Sequence, residues 1–503
     1  MSAPTEHKVP DHLPKTLGAL KAANWPVPAV KDELRKNLIA KLRAGETIFP
    51  GIIGYDKTVV PQITAAILSK HDFLLLGLRG QAKTRLIRQL VHLLDEWMPV
   101  IKDSPINESP YAPLTKQSRE LLRQMGADAP VDWVHRSRRY QEKLATPDVS
   151  IADLIGDIDP IKAVARKLDF SDEDVIHFGL VPRSNRGIFA INELPDLQAR
   201  IQVGLLNIME EKDIQIRGFP VRLPLDVALV FTANPEDYTN RGNIITPLKD
   251  RINAQILTHY PEKLEDALAI TAQEAWTERG LPDRIHPLLH ELVEQVVVEA
   301  RKSDYVDRNS GVSARVSISY VETLHSVAEA RAHRHGEAVV TGRISDLYES
   351  ITALTGKIEL VYKGEQEGIT NVAFHLVGRA VKEAFNKRYA GPMSEPTGRR
   401  GKKGADGDFS RFQPIIDWFE GGKHVELASQ MSFEEYGRTL RSIGGLEKTA
   451  RDLAQPKDDI DLLFAMEFIL DGLHQNFLLT KHVVDARIRY TDTVSYMMNE
   501  VSD

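Results

Sequence analysis

The stretch Phe73-Leu74-Leu75-Leu76-Gly77-Leu78-Arg79-Gly80-Gln81-Ala82-Lys83-Thr84-Arg85-Leu86 constrains the fold more than any other part of the chain. A short apolar run ends in a glycine-punctuated loop, and the residues beyond it place Leu86, Ile87, Leu90, Val91 and Leu94 at helical spacing. That switch of period predicts a buried strand, a tight loop and a helix. The loop departs by one residue from the pattern G-x-x-x-x-G-K-[ST], with Ala82 standing where glycine is usual. A phosphate cradle needs inward-facing backbone N–H groups, the positive end of a helix, a lysine for the β/γ oxygens and a hydroxyl for Mg²⁺. Gly77, Gly80, Lys83 and Thr84 supply these, and Gln81, Ala82 and Arg85 complete the candidate nucleotide-binding loop. Ala82 fits if its φ is negative, because a methyl group disfavours only the left-handed region. An ordinary glycine turn with a chance Lys-Thr is the alternative, and residues downstream must decide.

With 503 residues the chain is too long for one core, so two to four domains are expected. The net charge of −7 and pI near 6.2 argue against a protein that mainly binds nucleic acid or a membrane surface. The absence of cysteine removes disulfides, thiolate zinc sites and cysteine nucleophiles together. No apolar run approaches the roughly 18 residues of a membrane span, and the first residues lack a signal-peptide apolar region. A cytoplasmic protein is the expectation.

Residues 1–47, with Pro4, Pro10, Pro14, Pro26 and Pro28 before a helical pattern at Val30–Leu42, read as an N-terminal arm free to dock on a neighbour. Residues 48–262 read as an α/β nucleotide-binding domain. Ile53 and Tyr55 are candidates for adenine contact, with core packing as the equal alternative. Residues 101–139 lack periodicity, and Arg136-Ser137-Arg138-Arg139 reads as part of a solvated loop. A strand at Ile188–Glu193 then ends in an amide and a carboxylate. Hydrolysis needs a carboxylate aimed at water, which makes Glu193 the candidate general base. Asn192 stands where an aspartate is usual; its amide can orient water on Mg²⁺ but brings no charge, so slower turnover or weaker metal retention is expected.

A helix over 196–211 leads to a two-stranded ribbon at 214–223 turning at Gly218, and then to a buried strand, Val227–Thr232, with Asn234 at its tip. Asn234 is the candidate for positioning the attacking water, and Arg251, before a last strand at Gln255–Thr258, for an arginine finger acting on a neighbouring subunit. Residues 263–390 read as a helical lid in which Arg315 opens a helix and can reach the phosphates. His286, His290 and Glu291 are set aside as a metal site, since their spacing is not H-E-x-x-H and Pro287 lies inside it. Residues 391–410 read as a flexible linker by composition. Residues 411–503 read as a helical C-terminal module for a partner, or simply packed on the lid, with a final helix at Lys481–Asn499.

In this order, Gly77–Thr84, Ile188–Glu193, Thr232–Pro235, Asp250-Arg251 and Ser313-Ala314-Arg315 resemble the AAA+ ATPases of the magnesium chelatase I-subunit and MoxR-like group. There they would be Walker A, Walker B, sensor 1, arginine finger and sensor 2. The segment Leu154–Asp159 and the ribbon extend the resemblance to roughly residues 48–340. It implies an α/β P-loop NTPase (AAA+) core with a parallel sheet, followed by an all-α lid. It also implies ATP and Mg²⁺, a homo-oligomeric ring, a hexamer in the family, and a von Willebrand A domain partner. Two other readings stay open: a nucleotide-gated scaffold with little hydrolysis, suggested by Asn192, and a DNA-dependent motor. The weakly cationic ribbon tip, Arg217-Gly218-Phe219-Pro220, disfavours the last.

Overall fold

The computed structural model describes residues 7–159, 161, 162, 164, 172–216, 222–235, 242–390, 409–484 and 487–492. They form two compact units, Met1–Tyr260 and Pro261–Asp503. Among the described residues no helix is long and apolar enough to cross a membrane.

The first unit is built on five parallel strands: β1 (Phe73–Leu76), β2 (Tyr140–Leu144), β3 (Gly187–Asn192), β4 (Val227–Ala233) and β5 (Ala254–Leu257). Their spatial order is β5-β1-β4-β3-β2. Phe73 pairs with Val230 and with Ala254, and Leu144 pairs with Asn192. The central strands read as unbroken apolar runs because both faces of the sheet are covered. Leu74, Phe189, Leu229 and Phe231 point into one cluster with Ile201 and Leu205 of the helix Ala199–Glu210, whereas Phe73, Leu75, Ile188 and Val230 point into the other. This is the α/β P-loop core with a parallel sheet that the sequence predicts.

Two expectations for this unit need correction. Residues 7–47 are no loose arm. The helix Val30–Ala44 buries Val30, Leu34 and Leu38 against the sheet. The backbone N–H of Val30 donates to Asp226 at 2.8 Å, and Leu13, Leu20 and Trp25 pack with Trp133. The alternating charge along the helix masked this, since a stripe of three apolar residues suffices to seat it. Nor are residues 101–139 all loop: Trp97–Ile101 and Val131–His135 pair as antiparallel strands around the helix Lys116–Met125. Arg139, read as solvated, is 2% exposed and clasps Glu33 through two hydrogen bonds of 2.7 and 2.6 Å. Burial of a guanidinium is tolerated because a bidentate carboxylate and the Arg186 carbonyl satisfy it.

In the second unit the predicted helices are present at Leu264–Glu274, Pro287–Lys302, Ala314–His335 and Ile369–Phe385. The lid and the C-terminal segment share one core rather than forming separate bodies: Leu289, Tyr320, Leu376 and Phe385 pack in a cluster with Phe412, Phe419, Phe468 and Tyr490. Buried Glu467 reinforces this, accepting from the backbone of Ile344 and Ser345 and from the Tyr436 hydroxyl, at 2.7, 3.2 and 2.7 Å. The final segment is not helical where it is described. Thr480–Val484 and Arg487–Thr491 are antiparallel strands completed by Val425–Ala428. Its alternation of polar and β-branched or aromatic residues has the period of a strand. The linker at 391–408, the ribbon tip at 217–220 and residues 493–503 lie outside the described residues.

His290 and His325 face each other in this core with ring nitrogens 3.1 Å apart, and burial pushes His325 down to about 4. Unfolded, His325 titrates near 6.5. Above that value both states are neutral; below it only the unfolded chain gains the proton, so stability falls as pH drops from 6.5 toward 4. The expected loss is on the order of 2–3 kcal/mol. Urea midpoints from pH 7.5 to 4.5 measure it, and His325→Phe should flatten the profile; an equally steep variant would reject His325 as the source.

Candidate functional site

The site lies at the carboxyl ends of the strands, the edge where open α/β sheets present loops to ligands. Strand β1 ends in the cradle, β3 in Asn192-Glu193 and β4 in Asn234. Because β4 lies between β1 and β3, the residue at its tip is placed to bridge the other two. Asn234, 9% exposed, does so. Its Oδ1 accepts from the Lys83 ammonium at 2.5 Å, and its Nδ2 donates to Glu193 Oε2 at 2.8 Å. Three residues far apart in sequence thus form one hydrogen-bonded line.

The cradle is held from outside as well as by its own turns. Lys83, buried at the start of the helix Lys83–Gln89, also donates to the carbonyls of Gly77 and of Leu78, the latter at 3.0 Å. Gly80 has φ of +73°, a region glycine enters without steric cost. At Gly77 a Cβ would fall on the Thr258 hydroxyl and the Gln81 amide oxygen, which hydrogen-bond each other at 2.7 Å. Gln81 therefore ties the loop to the end of β5. Thr84 is half-buried and Arg85 exposed.

Ala82 departs from the condition set by the sequence. Its φ is +55° and ψ +14°, in the left-handed region. Such a backbone costs an alanine about 1–2 kcal/mol. Ala82→Gly relieves this but frees the unfolded chain by about 0.4–1 kcal/mol. A net gain of up to about 1 kcal/mol is expected in denaturant unfolding; a clear loss would show that the loop does not hold Ala82 at positive φ.

Tyr55, a candidate for adenine, is 5% exposed and in the core. Its hydroxyl donates to the carbonyls of Gln81 and His259 at 3.0 and 2.7 Å, and burial pushes it up to about 12. These contacts make it a clamp on the cradle. Ile53 beside it stays half-buried, with surface left for a ligand.

Glu193 lies one residue past β3 with φ of +56°, a conformation uncommon for a side-chain-bearing residue. The backbone turns sharply there, and the carboxylate meets Asn234 rather than continuing along the strand. Its N–H donates to Thr232 Oγ1 at 3.1 Å, and that hydroxyl donates to Asn192 Oδ1 at 3.3 Å. Thr232, 1% exposed, is a positioning residue that the apolar run concealed. Its signal was a lone hydroxyl near the end of a strand otherwise free of polar groups.

Arg251 ends the short helix Thr246–Arg251 and is held within its own chain. Its Nε and Nη2 donate to Glu210 at 3.0 and 2.5 Å. An exposed pair of this kind contributes only about 0–1 kcal/mol, so exchanging Glu210 for another anion costs little. Arg315 belongs to the second unit, where it is exposed on the first turn of the helix Ala314–His335, its N–H capped by Ser313.

The donor set fits a nucleoside triphosphate with Mg²⁺. Ala82 offers no oxygen to cap the helix it precedes, so the first N–H groups have no side-chain cap there. Beside them stand a lysine, a threonine hydroxyl and an amide–carboxylate pair.

No family model matches the sequence, and no curated protein matches it. Solved structures that resemble it include a protein of Cytophaga hutchinsonii described as a candidate ATPase, 17% identical over 72% of this chain and 97% of that one, with a TM-score of 0.29. The magnesium chelatase subunits BchI and BchD give 20% identity over 63% of this chain and 98% of that one, with a TM-score of 0.33. NtrX of Brucella abortus gives 13%, 62% and 56%, with a TM-score of 0.33. Likeness at this level bears on neither activity nor partners.

Proposed function

We propose that the chain is an ATP-hydrolysing AAA+ ring motor of the MoxR and magnesium-chelatase-like kind. The observation that carries this reading is the hydrogen-bonded line Lys83–Asn234–Glu193 across the strand tips. ATP supplies the scissile phosphoanhydride and Mg²⁺ neutralises its oxygens when both are bound. The loop amides and Lys83 would hold the phosphates, Thr84 and Asn192 the Mg²⁺ shell, and Ile53 the base. Glu193 takes the proton from the attacking water, which Asn234 orients through the same amide that now meets the carboxylate. Arg251 from a neighbouring subunit adds positive charge where negative charge builds up in the transition state, and sensor 2 is the role the resemblance implies for Arg315. The resemblance supplies the rest: a cytoplasmic homo-oligomeric ring, a hexamer in the family, acting on a protein or metallocentre with a von Willebrand A domain partner.

Asn192 favours a second reading, a nucleotide-gated scaffold that hydrolyses little. Steady-state turnover of Mg²⁺-ATP separates the two, since a motor turns over and a scaffold only binds. Asn192→Asp restores a charge next to the metal shell, worth about 1–2 kcal/mol. The Mg²⁺ concentration for half-maximal activity should therefore fall roughly tenfold. An unchanged Mg²⁺ requirement would remove Asn192 from the metal's surroundings.

A further inference from the structure

The second unit holds a cavity of about 650 Å³ between the helix Ile369–Phe385 and the end of the helix Asp459–Gln475. Its floor is polar and internally satisfied. The Tyr348 hydroxyl donates to Asp471 at 2.7 Å and Gln475 donates to that hydroxyl at 3.2 Å. Lys481 donates to Asp471 at 2.6 Å with its ammonium 3.6 Å from the centre of the Tyr348 ring. Asp471 and Lys481 neutralise each other, so the floor offers no net charge.

The mouth differs. Phe374 and Phe477 are 36% and 79% exposed, and Phe477 has φ of +63°, which is rare for a bulky side chain. Lys382 lies 5.2 Å from the centre of the Phe477 ring. Arg379, one turn earlier, is exposed and has no ion-pair or hydrogen-bond partner among the described residues. Lys382 likewise has no acid partner there. The acid on the wall, Glu349, is half-buried, and its partial burial raises its carboxyl above the usual carboxylate range. Two uncompensated cations therefore flank exposed aromatic rings at the rim of a preformed cavity.

We propose that this cavity binds a small amphipathic anion, its apolar body against Phe374 and Phe477 and its carboxylate between Arg379 and Lys382. The volume falls within the roughly 300–1,000 Å³ of small-molecule sites. A protein partner instead buries about 800 Å² of a broad surface, which favours the small molecule. Lipophilic amines are excluded by the unpaired cations, and uncharged hydrocarbons leave those cations unmatched.

The full chain titrated calorimetrically with dodecanoate, 1-dodecanol and dodecyltrimethylammonium tests this. One saturable site for dodecanoate is expected, with the other two at least tenfold weaker. Arg379→Glu with Lys382→Glu should weaken dodecanoate at least tenfold without moving the thermal midpoint, since both side chains reach solvent. Phe477→Asn, which suits a left-handed backbone, should weaken it comparably. If charge reversal lowers the midpoint, the doubly neutral Arg379→Gln, Lys382→Gln is read instead and should still lose several-fold. Absence of a saturable site, equal binding of acid and amine, or a charge-reversed variant within twofold of the parent would overturn the proposal. So would an acidic aromatic peptide that displaces dodecanoate at lower concentration. No outcome depends on the ATP site.

Discussion

Replacing Lys83 with alanine is expected to weaken ATP binding by two to three orders of magnitude and to abolish turnover. Hydrogen bonds to charged groups contribute about 1.5–3 kcal/mol each, and the ammonium is placed to give two to phosphate oxygens. The gross loss is then roughly 3–6 kcal/mol, but the full value is not realised. Lys83 already donates to two loop carbonyls and to Asn234, and a phosphate has to displace some of these. A net loss of about 3–4 kcal/mol follows, which is roughly 100- to 1,000-fold in Kd. The fold should survive, because alanine is a strong helix former at that position. Titration with a fluorescent ATP analogue measures the effect, and an unchanged Kd would reject the cradle as a nucleotide site.

The loop between β1 and the helix Lys83–Gln89 and the strand tips were legible in the sequence because their constraint is local. A glycine, a lysine and a hydroxyl must follow one apolar strand at fixed spacing, and two further apolar runs must end in polar groups. Their meeting was legible only through topology: Asn234 touches both Lys83 and Glu193 because β4 inserts between β1 and β3. No short-range pattern encodes that order. The backbone of Ala82 was not legible either, since the left-handed turn is imposed by the anchoring of Gln81 to Thr258 and of Tyr55 to the loop. Arg139 misled for a similar reason. In sequence it is one of three arginines in a row of four, and only the distant Glu33 turns it into a core residue. The strands Thr480–Val484 and Arg487–Thr491 were lost to a helical reading extended from the long apolar helix before them, although their own alternation has the shorter period.

Glu193→Gln is expected to reduce turnover by about 100- to 10,000-fold while leaving ATP affinity within threefold. The change removes a proton acceptor and little else. Glutamine has nearly the same volume, and its amide oxygen can still accept from Asn234 Nδ2, so the line from Lys83 to position 193 stays connected. The left-handed backbone at 193 is common to both residues, and the Thr232 hydroxyl still receives the 193 N–H. Binding, which rests on Lys83 and the loop amides, has no reason to change. The converse variant, Asn234→Ala, cuts the line while keeping the carboxylate. It frees both Lys83 and Glu193 from their shared partner, so a smaller loss in turnover, about tenfold to a hundredfold, should come with altered affinity as well. Single-turnover hydrolysis alongside equilibrium binding separates these patterns. Should Glu193→Gln hydrolyse ATP within threefold of the parent, the general base lies elsewhere. If the parent itself turns over no faster than the variant, the chain binds ATP as a scaffold, and Asn192 is the residue to change first.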